Sequence, residues 1–234
     1  MKTILFDLDG TLIDSTEAIL EGFEVSFKAF DKTPPKPEEV KKLIGLPLDV
    51  MFSKLGAEKE KVWEYVNIYK QHYRKISKQK TVLLSYAKEA VMEASKFARL
   101  GIVTTKTAEY SKELLKHFGI MDYFEVLIGR EDVTNPKPHP EPVLKAVRQM
   151  KAIKDATWMI GDTCLDMISA KEAGVNYIGV KWEYEDLHAM KKCAEIIKEN
   201  ALEAVMYVNG KWKMENERGE PGHLKSGGVE NERA

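Results

Sequence analysis

Apolar positions along this chain follow two regimes, and the change comes near Leu83. At the start, Ile4, Leu5 and Phe6 form a short apolar run that reads as a buried parallel strand broken at Gly10, although so few residues do not by themselves exclude a helix. Asp14-Ser15-Thr16-Glu17 then marks a helix start, and Ile19, Phe23, Phe27 and Phe30 follow at spacings of three to four. Pro34, Pro35 and Pro37 end that helix, and 38–43 and 48–55 read as short helices on either side of Gly45-Leu46-Pro47. A longer helix over 58–77 places Val62, Val66, Tyr69, Tyr73 and Ile76 on one face. Together these segments predict a helical bundle, whose aromatic stripe is its own core rather than a ligand box.

Beyond Leu83, helices alternate with short apolar runs, as in a parallel sheet covered by helices on its faces. Helices are expected over 87–97, 109–118 and 141–150, and strands over 101–106, 126–129, 157–160 and 176–180. A further helix follows Asp166 and ends near Ala173-Gly174, 194–197 reads as an edge strand, and 201–208 as a closing helix. The fold class is therefore α/β. Its organisation is a core from 1–14 and 84–209, an inserted helical bundle over 15–83, and a polar segment over 210–234 that has little to bury and reads as mobile.

Composition narrows the partners. Thirty-six Lys and Arg against thirty-seven Asp and Glu give a net charge of −1, which offers no field for a nucleic-acid backbone. No apolar run approaches the length of a membrane span, and the N-terminus lacks the apolar segment of a secretory leader, so the expectation is a cytoplasmic protein with no membrane partner. Cys164 and Cys193 form neither a C-x-x-C pair nor a zinc set, and they read as reduced bystanders. The five histidines are scattered without metal-ligand spacing.

The chemistry lies at strand ends. Asp7 and Asp9 are two apart, so an extended backbone points both to the same side, where the carboxylates repel unless a cation such as Mg²⁺ sits between them. Alone, an Asp-Gly turn explains them equally well. Three more segments reach the same mouth of the sheet: Thr104 at one strand end, Lys137 in the rigid loop Asn135-Pro136-Lys137-Pro138-His139-Pro140, and Asp162 at another strand end. Carboxylates, a hydroxyl and an ammonium gathered there describe a phosphate held against Mg²⁺. Each has a plainer reading: a strand-end hydroxyl for Thr104, a solvated cation for Lys137, and a helix cap for Asp162-Thr163.

In this order, Asp7-Leu8-Asp9-Gly10-Thr11, Thr104, Lys137-Pro138 and Gly161-Asp162-Thr163-Cys164-Leu165-Asp166 resemble the four motifs of the haloacid dehalogenase superfamily of phosphohydrolases. The inserted helices look like its helical C1 cap, and Leu43-Ile44-Gly45-Leu46-Pro47 like the cap loop of its phosphoglycolate-phosphatase and β-phosphoglucomutase branch. The resemblance implies a Rossmann-like core and an Mg²⁺-dependent phosphatase acting on a small phosphorylated metabolite, phosphoglycolate first among candidates, as a monomer or homodimer. It makes Asp7 the nucleophile and Asp9 the general acid/base. The metal would be held by Asp7, the Asp9 carbonyl and Asp162, with Asp166 in outer support, and Thr104 and Lys137 would hold the phosphoryl group. A sugar-phosphate mutase or a pyrophosphatase on the same core are alternatives, and a non-catalytic receiver-like protein is a third that Asp9 and the large insertion argue against. The chain departs from the pattern in having Leu84-Ser85-Tyr86-Ala87 where Pro-Gly is common and Thr105 where Asn or Ser is usual.

Overall fold

In the computed structural model, which describes residues 1–182 and 187–210, the opening run forms β1 (Lys2–Phe6). Its side chains are apolar on both faces: Ile4 and Phe6 enter one core and Leu5 the other, all fully buried. A strand of that kind is stable only inside a sheet covered on both sides. β1 accordingly lies within a six-stranded, wholly parallel sheet. The other strands are β4 (Ala98–Val103), β5 (Phe124–Ile128), β6 (Thr157–Gly161), β7 (Asn176–Val180) and β8 (Ile197–Lys198), in the order β5-β4-β1-β6-β7-β8. A two-stranded antiparallel ribbon of β2 (Ile13–Asp14) and β3 (Val82–Leu83) joins the inserted helices to this core.

The insertion contains α1 (Thr16–Lys28), α2 (Pro37–Lys41), α3 (Leu48–Lys54) and α4 (Val62–Ile76). The expected stripes do meet: Ile19, Phe23 and Phe27 of α1 pack with Val62, Val66, Tyr69 and Tyr73 of α4 and with Met51 and Phe52 of α3. Ring contacts support the burial, with Phe23 and Phe52 tilted against each other at 4.3 Å between centres and Phe30 stacked on Tyr65 at 4.1 Å. Beyond the ribbon come α5 (Ala87–Ser95), α6 (Ala108–His117), α7 (Glu141–Gln149), α8 (Cys164–Ala173), α9 (Leu187–Cys193) and α10 (Ala201–Asn209). Residues of α5, α6 and α10 cover one face of the sheet, and residues of α7 and α8 the other. Among the described residues, no helix is long and apolar enough to cross a membrane.

Several strand bounds shift from expectation: β5 starts at Phe124 rather than 126, and β4 ends at Val103 rather than 106. β4 begins three residues before Gly101 because Arg99, a charge that conceals the strand start, is satisfied by a forked ion pair to Glu125 on neighbouring β5. The edge strand is Ile197–Lys198 rather than 194–197. Of the expected mobile segment over 210–234, Gly210 caps the helix Ala201–Asn209 and 211–234 lie outside the described residues.

The cysteines overturn the expectation of reduced bystanders, since Cys164 and Cys193 form a disulfide between the start of α8 and the end of α9. They lie 29 residues apart, and only the packing of α9 against α8 makes them neighbours. Closing a loop of that length removes unfolded-state entropy worth about 3–4 kcal/mol in the chain-entropy model. Cys193→Ser is therefore expected to lower unfolding stability by about 3 kcal/mol, read as a shifted denaturant midpoint; an unchanged midpoint would show that the bond contributes nothing to stability.

Candidate active site

At the carboxyl ends of β1, β4 and β6, where strand order reverses on either side of β1, three chain segments converge. Asp7 follows β1, Thr104 follows β4, and Asp162 follows β6. All three side chains are buried, as are Lys137 and Asp166, so the sheet mouth holds an unusually charged interior.

Ligand oxygens of Asp7, Asp162 and Asp166 lie within 4.8 Å of one another. Lys137 arrives from the loop before α7 and sets its Nζ 2.8 Å from Asp7 Oδ1 and 2.5 Å from Asp166 Oδ1, while donating to the Val103 carbonyl at 3.0 Å. Asp166 uses its other oxygen to accept from the Thr163 amide at 3.1 Å and the Thr163 hydroxyl at 2.7 Å, which fixes the start of α8. Both Asp166 oxygens are thus engaged in holding Lys137 and the Asp162-Thr163 turn. Thr11 donates to Asp162 Oδ1 at 2.8 Å. The final residue of the first motif therefore orients the carboxylate of the last.

Glycine makes this packing possible. Gly10 has φ +80°, and a Cβ there would lie 2.1 Å from Asp162 Oδ2, so any larger residue would drive the Asp162 carboxylate out of the cluster.

Burial pushes the Asp7 carboxyl up to about 7, the Lys137 ammonium pulls against that rise, and the Asp166 charge adds to it. Burial also lifts Asp162 well above the usual carboxylate range, with Asp7 and Asp166 contributing and the Thr11 hydrogen bond opposing. Burial works against the charge on Lys137, but Asp166 and Asp7 outweigh it and hold the ammonium above its ordinary value. Three carboxylates against one ammonium leave two negative charges uncompensated when all are ionised. Asp7 Oδ1 moreover faces no partner but the Lys137 ammonium at 2.8 Å among the described residues. A buried, oxygen-only cluster with an excess of negative charge suits a hard divalent cation.

Asp9 points into a different environment. Lys106 Nζ stands 3.2 Å from Asp9 Oδ2 and 2.9 Å from the Tyr73 hydroxyl, and Ser15 donates to Asp9 Oδ1. Ser15 occupies the cap position of α1, yet its hydroxyl serves Asp9, and Asp14 takes over the capping by accepting from the Thr16 amide at 2.8 Å. Burial disfavours the Lys106 charge, but Asp9 and Tyr73 more than offset that and raise its affinity for its proton. Thr104 accepts from the Lys106 amide at 3.1 Å, and its side chain remains buried at the same mouth.

All six residues singled out from sequence, Asp7, Asp9, Thr104, Lys137, Asp162 and Asp166, therefore lie at one end of the sheet. Ser15, Lys106 and Tyr73 were not singled out. Lys106 had a signal in closing the run Thr104-Thr105-Lys106, whereas Ser15 looked like a helix cap and Tyr73 like bundle core, which it also is.

Comparison with known proteins agrees with this geometry. The family model described as haloacid dehalogenase-like hydrolase matches residues 4–180. Pyrophosphatase PpaX of Halalkalibacterium halodurans is 36% identical over 180 residues, covering 75% of this chain and 81% of that protein. Pyrophosphatase PpaX of Bacillus mycoides is 35% identical, covering 78% and 84%. Among solved structures, a haloacid dehalogenase-like family hydrolase from Streptococcus pneumoniae superposes with a TM-score of 0.79 at 26% identity, over 88% of this chain and 98% of that one. With the motif order, the parallel sheet and the buried cluster in agreement, the chain belongs to the haloacid dehalogenase-like hydrolase family.

Proposed function

We propose that the protein is an Mg²⁺-dependent phosphatase that hydrolyses a small phosphorylated metabolite in the cytoplasm through an aspartyl phosphate on Asp7. The observation that carries this reading is the Asp7 carboxylate itself, buried at the end of β1 against Asp162, Asp166 and Lys137. Asp7, Asp162 and the Asp9 carbonyl would hold the metal, and bound Mg²⁺ would neutralise the cluster and draw charge from phosphoryl oxygens.

The remaining steps belong to the chain. Asp7 attacks phosphorus and the ester P–O bond breaks. Asp9 gives its proton to the departing oxygen and later takes one from the water that releases phosphate from Asp7. Lys137 and Thr104 hold phosphoryl oxygens, while Lys106 and Ser15 fix the Asp9 carboxylate in place. The inserted helices act as a lid: the Thr105 hydroxyl donates to the Gly45 carbonyl at 2.9 Å and holds the loop between α2 and α3 against the core. Thr105, a departure from the usual motif, thus takes part in seating that loop.

Phosphoglycolate is a first candidate substrate. Pyrophosphate is favoured as a second reading by the name of the relatives at 35–36% identity. Phosphate release from 2-phosphoglycolate, pyrophosphate and sugar phosphates, with Mg²⁺ and with EDTA, tests the proposal. Release that requires Mg²⁺ is expected, conversion of a sugar phosphate without release would favour a mutase, and no Mg²⁺-dependent turnover at all would overturn the reading.

The raised Asp7 carboxyl adds a pH dependence with a definite sign. Its proton affinity is higher folded, at about 7, than in the unfolded chain, near 3.8, so the metal-free protein loses stability as pH rises between about 4 and 7. A cation must displace that proton at pH 5 but finds the carboxylate already ionised at pH 8. The gain in melting temperature on adding Mg²⁺ is thus expected to be larger at pH 8 than at pH 5. An equal gain at both would place metal binding away from Asp7.

A further inference from the structure

On the Asp9 side of the site lies a cavity of about 230 Å³, bounded by the inserted helices and the core. Its location follows from the chemistry proposed above, because a group protonated by Asp9 as it departs must occupy the space that Asp9 lines. That space is walled chiefly by Ile19, Ile44, Leu46, Met51, Val66 and Tyr69. Ile19, Met51, Val66 and Tyr69 belong to the apolar core of the bundle, so the wall is continuous with packed, dry structure.

Three cations, Lys70, Lys106 and Arg130, also lie on its lining. Lys106 is committed to Asp9 and Tyr73, and Arg130 donates to the Val133 carbonyl at 3.2 Å and stands next to Glu131. Lys70 shares the lining with Asp49, one charge of each sign. The second phosphate of pyrophosphate, or the carboxylate of phosphoglycolate, would shed its water in this space against largely apolar walls and would depend on Lys70 and Arg130 for compensation. A hydrocarbon leaving group would gain by the same transfer.

Building on the phosphatase reading, we infer that the cavity favours a phosphate monoester whose leaving alcohol carries a compact apolar or aromatic body. The volume limits that body to a few carbons or one ring, below the usual range of drug-sized sites. The reaction balances as simple hydrolysis: the P–O bond to the alcohol breaks, the alkoxide oxygen takes the Asp9 proton, and water supplies the oxygen that ends on phosphate. Trp63, largely exposed, also lines the cavity and extends its apolar surface toward solvent.

The test uses the full chain with Mg²⁺ and measures kcat/KM for ethyl, butyl and benzyl phosphate beside pyrophosphate and 2-phosphoglycolate. Values are expected to rise about fourfold per added methylene from ethyl to butyl, as for burial of hydrocarbon. Benzyl phosphate should exceed both anionic substrates by at least tenfold. Leu46→Gln, on the half-buried loop rather than in the bundle core, is expected to flatten the chain-length slope. A flat or falling series with pyrophosphate or 2-phosphoglycolate best would overturn the apolar assignment and leave the phosphatase reading standing. Absence of Mg²⁺-dependent turnover on all five would overturn both.

Discussion

Asp7→Asn is expected to abolish phosphate release, with kcat reduced by at least about a thousandfold and the fold intact. The amide nearly matches the carboxylate in shape, so the packing around β1 is preserved. What disappears is the attacking oxygen's negative charge and, with it, one of three acidic groups in the cluster. Loss of a charge from a crowded site relieves repulsion as it removes the nucleophile. Asp7 is driven up to about 7 chiefly by burial, so ionising it in the metal-free protein is costly, and the variant should melt no lower than the parent in EDTA at pH 8. Dead catalysis with retained or raised stability is a pattern that global unfolding cannot produce. Single-turnover assay with quenched-flow detection of acid-stable phosphoprotein provides the check. Release at the parental rate would remove Asp7 from the nucleophile's role and leave Asp9 or a water as the attacking group.

How much of this was legible in the sequence depended on the range over which each feature is determined. β1 could be read because three consecutive apolar side chains need cover on both faces, and the two bundle stripes because helical spacing repeats within one segment. The placement of Asp7, Thr104, Lys137 and Asp162 at one mouth followed from a topological rule about where parallel strands end, which needs only strand order. Contacts between distant segments had no comparable signal. The Ser15 hydroxyl, six residues on, and the Lys106 ammonium, from a distant strand end, both meet Asp9, and a serine ahead of a helix is more economically read as a cap. Cys164 and Cys193 carry no spacing rule, and only the docking of α9 on α8 brings their sulfurs together. The outward charge of Arg99 hid the start of β4 because its partner, Glu125, lies on a different strand. Local periodicity thus predicted the elements and topology predicted the site's position, while the wiring among its side chains required the fold.

Lys137→Met is expected to be the most destabilising single change in the site, at about 3–5 kcal/mol near neutral pH. The ammonium is buried and lies within ion-pair distance of both Asp7 and Asp166. Methionine fills the volume of the stem but returns nothing to the carboxylates. Asp166 would lose its 2.5 Å partner while still accepting from Thr163, and Asp7 would lose its neighbouring charge. The variant can escape by taking up protons, since without Lys137 the balance for Asp7 shifts further toward burial and the Asp166 charge, both of which raise its proton affinity. Its stability deficit relative to the parent should therefore be largest above pH 7 and shrink as pH falls toward 5. Denaturant titration of both proteins across that range, in EDTA, measures the deficit directly. A deficit independent of pH would mean that Lys137 contributes through the packing of its stem and the Val103 carbonyl bond alone, rather than as the charge that holds three buried carboxylates together.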